Sequence, residues 1–282
     1  MKKYPILSLA AALILAACGG DDEPGGPDDS GRSDGKTAVN ISAGIVSFTD
    51  GDYDDTFADG DEIAVYAVER GRQLASSGNY ADAVRYTFRD GRFEGNIATD
   101  GHTQLTYYAV CPYSAGQQGS TFRFFVQADQ RYASNMLSSD VCTGASQATS
   151  SNAVSIQLRH RLCAACVRFE GDNLAGRSLS VTLEDVALES DISIEGEKTS
   201  TGQGKGNIRM FNNDGVFRAI LPPQSFPVSQ TFAVVTMDGV KYPVSFEDTQ
   251  YFEEGCMTTM TLTYNGEDDE FVVITGQIAP WQ

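Results

Sequence analysis

Val84-Arg85-Tyr86-Thr87-Phe88-Arg89-Asp90-Gly91-Arg92-Phe93 holds two apolar-patterned runs around a tight turn. Val84, Tyr86 and Phe88 alternate with longer polar residues, the period-2 pattern of a strand with one buried face. Asp90-Gly91 then supplies the two positions that tolerate positive φ, as a tight hairpin requires. Phe93 resumes the apolar pattern on the return strand. A helix of that composition would scatter these side chains around its circumference, so the segment specifies a β-hairpin.

The same pattern spreads in both directions. Val39, Ile41, Ala43 and Ile45 alternate with Asn40, Ser42 and Gly44. The run from Glu62 to Glu69 and the run from Leu105 to Val110 are apolar on both faces and read as central strands. Pro112 ends the second of these. Thr121–Val126 is strand-like, and 134–152 reads as a polar loop with room for one helical turn. Val154, Ile156 and Leu158 resume the alternation. Its phase changes between His160 and Val167, which implies a bulge or a crossing between domains at 160–166. Further strands follow at Leu179–Leu183, Val186–Leu188, Ile192–Ile194, Ile208–Phe211, Val216–Leu221, Phe232–Met237, Lys241–Phe246, Met257–Tyr264 and Phe271–Ile274. Asp238-Gly239 and Asn213-Asp214-Gly215 are turn signals, and Pro222-Pro223 breaks a sheet. No long window carries a helical period. The chain is all-β, built of antiparallel sandwiches. The number of strands calls for two of them in tandem, with a boundary near residue 158: an N-terminal sandwich at 38–157 and a C-terminal one at 158–282.

Bulk properties narrow the function. The 282 residues are 41% hydrophobic and 10% aromatic, enough for sizeable cores. A formal net charge of -18 excludes a nucleic-acid footprint, and it excludes docking on anionic lipid through surface charge.

The amino terminus supplies an address. Lys2 and Lys3 precede an apolar run from Ile6 to Ala17, too short to span a bilayer, so residues 1–17 read as a signal peptide. Leu15-Ala16-Ala17-Cys18 resembles a bacterial lipobox, which implies cleavage before Cys18 and acylation there, palmitate included. Residues 18–37 contain an acidic, Gly- and Pro-rich tether with little to bury. Its acidic start also resembles a surface-export signal of Bacteroidetes lipoproteins; a plain solvated linker is the alternative. Five cysteines remain beyond Cys18, an odd number, and a chain with cores of this size does not need a disulfide framework.

Several blocks together are similar to one family. Phe57-Ala58-Asp59-Gly60-Asp61-Glu62-Ile63-Ala64-Val65-Tyr66 resembles a segment of the fimbrillin (Mfa-like) family of Bacteroidales lipoproteins, subunits and anchors of type V pili. Tyr107 to Tyr113, Gln127 to Gln130 with Ser139-Asp140, His160-Arg161-Leu162, Leu221 to Gln224, and Ile278 with Trp281 follow in the family's order. The resemblance implies two tandem transthyretin-like sandwiches and a role as a surface fimbrial subunit, as shaft, tip or anchor. It implies assembly by strand addition: an Arg-directed protease cuts after the first strand, and a strand of the next subunit fills the groove. A head-to-tail contact of that kind grows a filament.

On this reading Cys18 carries the lipid, and Val39, Ile41, Ala43 and Ile45 form the exchangeable strand. Thr49–Asp61, the loop where the cut belongs, contains no Arg and no Lys. Arg32 lies before the strand, so cleavage there would free the protein from lipid and leave the strand in place. An uncleaved anchor or accessory subunit at the outer membrane is therefore favoured over a shaft subunit. Its partners are other fimbrial subunits. The alternative is a surface lipoprotein that does not polymerise and binds glycan or host protein through loops, with Tyr53, Tyr80 and Trp281 as candidate contacts.

No catalytic set assembles. His102 reads as solvent-exposed and His160 as a satisfied, half-buried residue, with no nucleophile-elbow sequence near either. Cys163-Ala164-Ala165-Cys166 lacks the second pair that a zinc site needs, and in a strand its thiols point to opposite faces. Asp50-Gly51-Asp52-Tyr53-Asp54-Asp55 departs from the calcium-loop template at its sixth and twelfth positions. Gly202-Gln203-Gly204-Lys205-Gly206 does not have phosphate-loop spacing and reads as a flexible turn. The sequence therefore predicts a non-enzymatic protein without cofactor or metal.

Overall fold

The computed structural model describes residues 35–46, 56–117, 119–171 and 174–280, with side chains up to residue 273. The signal peptide, Cys18, Arg32, the acidic stretch 50–55 and Trp281 lie outside the described residues. Within them the fold is all-β.

The first half of the chain forms β1 (Thr37–Ile45), β2 (Glu62–Glu69), β3 (Ala81–Arg89), β4 (Arg92–Thr99) and β5 (Leu105–Cys111). It continues with β6 (Thr121–Phe125), the short helix α1 (Ala133–Ser138), β7 (Cys142–Ala145) and β8 (Ala153–His160). Seven of these strands hydrogen-bond in the order β1-β4-β3-β2-β5-β7-β8, and the ring closes where β8 meets β1. That closing pair is parallel, whereas the other pairs of the ring are antiparallel. The β3–β4 hairpin turns at Asp90-Gly91, with φ of 48° and 83°, as the turn chemistry requires. β7 stands in a region read as loop. Its four residues, Cys-Thr-Gly-Ala, carry no alternation that could announce a strand.

The second half contributes β9 (Cys163–Glu170), β10 (Leu179–Ala187), β11 (Glu189–Ser193), β12 (Ser200–Thr201), β13 (Lys205–Arg209), β14 (Phe211–Asn213) and β15 (Val216–Leu221). It ends with β16 (Gln224–Phe226), β17 (Thr231–Met237), β18 (Val240–Ser245), β19 (Gln250–Phe252), β20 (Cys256–Asn265) and β21 (Glu270–Pro280). They form a five-stranded sheet, β14-β15-β9-β20-β21, a four-stranded sheet, β13-β10-β17-β18, and the small pair β16–β19. The Asp214-Gly215 and Asp238-Gly239 turns both show paired positive φ. The glycine-rich loop has a definite role here. The backbone N–H groups of Gln203 and Gly204 donate to the Glu189 carboxylate, and a Cβ on Gly202 would lie 2.4 Å from the Glu189 side chain. The loop is a cradle for that carboxylate.

Two hydrophobic cores explain the doubly apolar strands. Ile63, Val65 and Ala67 of β2 face the interior of the ring, with Tyr86, Phe93 and Tyr107. Ala64, Tyr66 and Val68 of the same strand face the second core, with Val167, Ile220 and Met260. β2 is thus a wall shared by both halves, so its alternate residues are buried on opposite sides. β9 is likewise buried on both faces from Cys163 to Val167.

β6 leaves the ring altogether. It pairs with β11 of the second half in a three-stranded sheet, β12-β11-β6. The chain after it stays on that half: Gln130 N–H donates to Arg209 O, and Arg209 N–H donates to Ala128 O. Gln130, fully buried, donates from Nε2 to Ile220 O and accepts from Ile220 N–H. Residues 119–136 form a strap across the second half before the chain returns to the ring at β7.

Candidate assembly interface: the first strand and the groove it fills

β1 is the strand that closes the ring. On one side Asn40 to Ile45 pair in parallel with Ala153 to Leu158 of β8. On the other, Thr37 and Ala38 face Thr99 and Ala98 of β4, and Asn40 and Ile41 face Glu94 and Phe93. A shift in register separates the two antiparallel segments. No described strand other than β1 connects β4 with β8. Without it the ring would become a six-stranded sheet with two open edges, a template for another strand.

The alternation of β1 sets what it buries. Val39 and Ile41 are fully enclosed, whereas Ala43 and Ile45 are partly buried and pack on the same core. Burial of the first two side chains contributes about 3–6 kcal/mol. Asn40, Ser42 and Gly44 point outward. Two side chains tie to the β1 backbone from the β8 side, Gln157 Nε2 donating to Gly44 O at 3.1 Å and Asn152 Nδ2 to Ala38 O at 3.4 Å.

The floor of the groove is an aromatic set. The Tyr86 hydroxyl donates to Val39 O at 3.2 Å, and burial pushes its pKa well up, so it stays a neutral donor. The ring of Tyr86 lies over Gly95 of β4, where an added Cβ would come within 2.4 Å of it. Glycine at 95 is what lets the ring lie flat against the sheet beneath β1. Phe57, Phe88 and Phe93 stack beside it, with the Phe57–Phe93 centroids 4.8 Å apart and edge-on.

The four residues Val39, Ile41, Ala43 and Ile45 therefore stand together on the inner side of one strand. Cys18 and Arg32 fall outside the described residues, and so do Tyr53 and Trp281. Tyr80 is not an exposed loop contact: its hydroxyl donates to Ala98 O at 2.7 Å, and its ring packs against the ring core. The aromatic is consumed by packing at the β3–β4 end. His160 is more enclosed than half-buried, at 3% exposure. Cys163 and Cys166 are both inside the core, and the Cys163 thiol donates to Leu221 O.

Two features had no sequence signal. One is a cleft where the ring meets the second half, bounded by Arg159, Lys198, Thr199, Gln224, Tyr251 and Glu254. The other is the convergence of Asp140, Cys142 and His160, the ligand-type side chains that come together among the described residues. No described helix is long and apolar enough to cross a membrane.

The fimbrillin-like family profile matches residues 49–281. No curated protein matches the chain. A crystal structure of a candidate cell adhesion protein from Bacteroides ovatus superposes with a TM-score of 0.67 at 15% identity, covering 88% of this chain and 98% of that one. A second, from Bacteroides uniformis, gives 0.66 at 16% identity over 89% of this chain and 99% of its own. The tip fimbrial protein Mfa3 of Porphyromonas gingivalis gives 0.50 at 9% identity over 86% and 99%. At such identities the likeness is one of fold.

Proposed function

The chain belongs to the fimbrillin-like family, and from that premise we propose that it is a lipid-anchored fimbrial subunit that joins its neighbours by strand addition. The observation that carries this reading is the position of β1 as the ring-closing strand between β4 and β8. A strand with alternate buried side chains and ladder bonds on both edges can be replaced by another strand of the same pattern, with the backbone supplying affinity and the pockets of Val39 and Ile41 supplying selectivity. At the far end of the chain, β21 pairs with β20 and with no other described strand, so the five-stranded sheet also has an edge. One groove and one edge on the same subunit would give a heterologous, chain-forming contact.

An anchor or accessory role is favoured over a shaft role. Thr49–Asp61 offers no basic residue for an Arg-directed protease, and Arg32 precedes β1. Lipid on Cys18 would then persist with β1 in place, and the subunit would stay at the outer membrane. The N-terminal and C-terminal sandwich division, 38–157 and 158–282, belongs to the same proposal. The shared wall at β2 and the strap make the two units a closely coupled pair.

The cleft with Tyr251, 59% exposed at its rim, favours a second reading: a surface lipoprotein that binds glycan or host protein without polymerising. One comparison separates the two. Mature protein from the native cell is analysed by mass spectrometry at its N-terminus, and a chain lacking residues 18–46 is compared with it by gel filtration. Strand addition with an anchor role predicts acylated Cys18 in the native protein and oligomers from the truncated chain. A native N-terminus at Ser33 would remove the anchor role. A truncated chain that stays folded and monomeric would remove strand addition and leave the second reading.

A further inference from the structure

Three neighbouring strands of the ring place an unusual row of side chains. In the β5–β7 ladder Cys111 stands directly opposite Cys142, and in the β7–β8 ladder Cys142 stands directly opposite His160. Directly opposed residues of adjacent strands share a face, so the three lie side by side across the sheet. Asp140, two residues before Cys142 in extended chain, falls on the same side. Asp140 is 9% exposed, Cys142 2% and His160 3%, whereas Cys111 is partly exposed.

The atoms meet at a point. His160 Nδ1 lies 2.9 Å from Asp140 Oδ1 and 2.9 Å from Oδ2, and 3.3 Å from Cys142 Sγ. Cys142 Sγ lies 3.9 Å from Asp140 Oδ1. In a nucleophilic triad the carboxylate and the thiol would sit on opposite ring nitrogens, so that a proton passes through the imidazole. Here both face Nδ1, which holds at most one proton, so the set does not relay. Tetrahedral zinc with N, O and S ligands needs separations of about 3.4–3.6 Å between donors. The three edges observed lie within about 0.5 Å of that.

We propose that Asp140, Cys142 and His160 bind a divalent metal ion of the zinc class as a structural site of the ring. The donor set of one thiolate, one imidazole and one carboxylate suits zinc and not calcium or magnesium, which take oxygen ligands. On binding, the Cys142 thiol loses its proton to solvent, Asp140 serves as carboxylate, and His160 offers the Nδ1 lone pair with its proton on Nε2. Thiolate and carboxylate together balance the charge of the ion. Cys111, opposite Cys142 in the β5–β7 ladder, is the candidate for the fourth position. A metal here would staple β7 to β8, the flank that becomes an edge if β1 departs.

The test uses the whole mature chain, purified without a polyhistidine tag. Metal content is measured after dialysis, and Co²⁺ is titrated into the stripped protein. The expected result is about one zinc per chain and a thiolate-to-cobalt charge-transfer band, with a thermal midpoint that falls on chelation and recovers with zinc. The band should vanish in Cys142→Ser and persist in Cys166→Ser, whose thiol lies in the other core. If Cys142→Ser does not fold, Asp140→Asn takes its place, with loss of zinc retention expected. Absence of both metal and band in the wild type overturns the proposal. So does an unchanged band in Cys142→Ser or Asp140→Asn, or a Cys111–Cys142 disulfide in protein taken from the cell.

Discussion

β1 and the strap at 119–136 both lie across sheets built by other parts of the chain, yet they are fastened in different ways. β1 is held by backbone ladders on its two edges and by pockets for Val39 and Ile41. Any strand of the right alternation could make those contacts. The strap has a ladder of its own, from β6 to β11, and adds polar side-chain clamps to it. The Gln130 amide reads both backbone groups of Ile220, the Ser139 hydroxyl accepts from Gln127 N–H, and Arg123 grips Asp191 through two parallel bonds at 2.9 and 3.0 Å. β1 is fastened through its own backbone and apolar side chains; the strap adds polar side chains of its own.

The largest expected effect is at β1. Ile41→Ala should cost about 3 kcal/mol, since a fully buried side chain leaves a cavity in the ring. Hydrogen exchange should then speed up in β1 and along the facing edges of β4 and β8, with the strap still protected. Equal acceleration in the strap would mean that the two segments open together, and the contrast would fail.

Gln130→Ala tests the clamp of the strap. It leaves the Ile220 N–H and carbonyl without their buried partner, a loss of about 2–3 kcal/mol. Unfolding by denaturant should show the loss, and exchange should rise at 119–136 and β15 while β1 is unaffected. A cost within error of zero would show that the ladder alone holds the strap.

The smallest effect concerns acid. Arg131, through paired bonds of 2.7 and 2.8 Å, lowers the Asp129 pKa to about 2, with Arg209 nearby at 3.8 Å. A carboxylate whose pKa is depressed by folding stabilises the folded state above its unfolded pKa. That contribution fades as pH falls from about 4 towards 2. The pair is exposed, so the effect is small and screened by salt. Wild type and Asp129→Asn should differ in thermal midpoint at pH 5 and converge near pH 2. A difference that does not change with pH would remove Asp129 from the fastening of the strap.

Local chemistry was legible in the sequence and long-range pairing was not. Asp90-Gly91 and Asp238-Gly239 announce their turns because backbone sterics act on adjacent residues. Alternation at Val39–Ile45 shows which side chains go inward, but it does not name the neighbours, and a parallel partner more than a hundred residues away leaves no mark. Phe122 and Phe124 look like any half-buried strand, although their partners belong to β11 in the other half. The doubly apolar run at Glu62–Glu69 marks a central strand without revealing that it separates two cores. Gln224–Phe226 and Gln250–Phe252 are too short for a period to register, and tertiary pairing alone makes them strands. The row through Cys142 and His160 depends on β7, whose small residues gave no strand signal.

The excursion of β6 has a mechanical meaning. The backbone passes from the ring to the second half after β5, returns before β7, and passes over again between His160 and Cys163. A pair of units on one linker can swivel about it, but three covalent crossings leave no single hinge. Tension applied to a surface fibre would therefore travel through this subunit along several parallel paths.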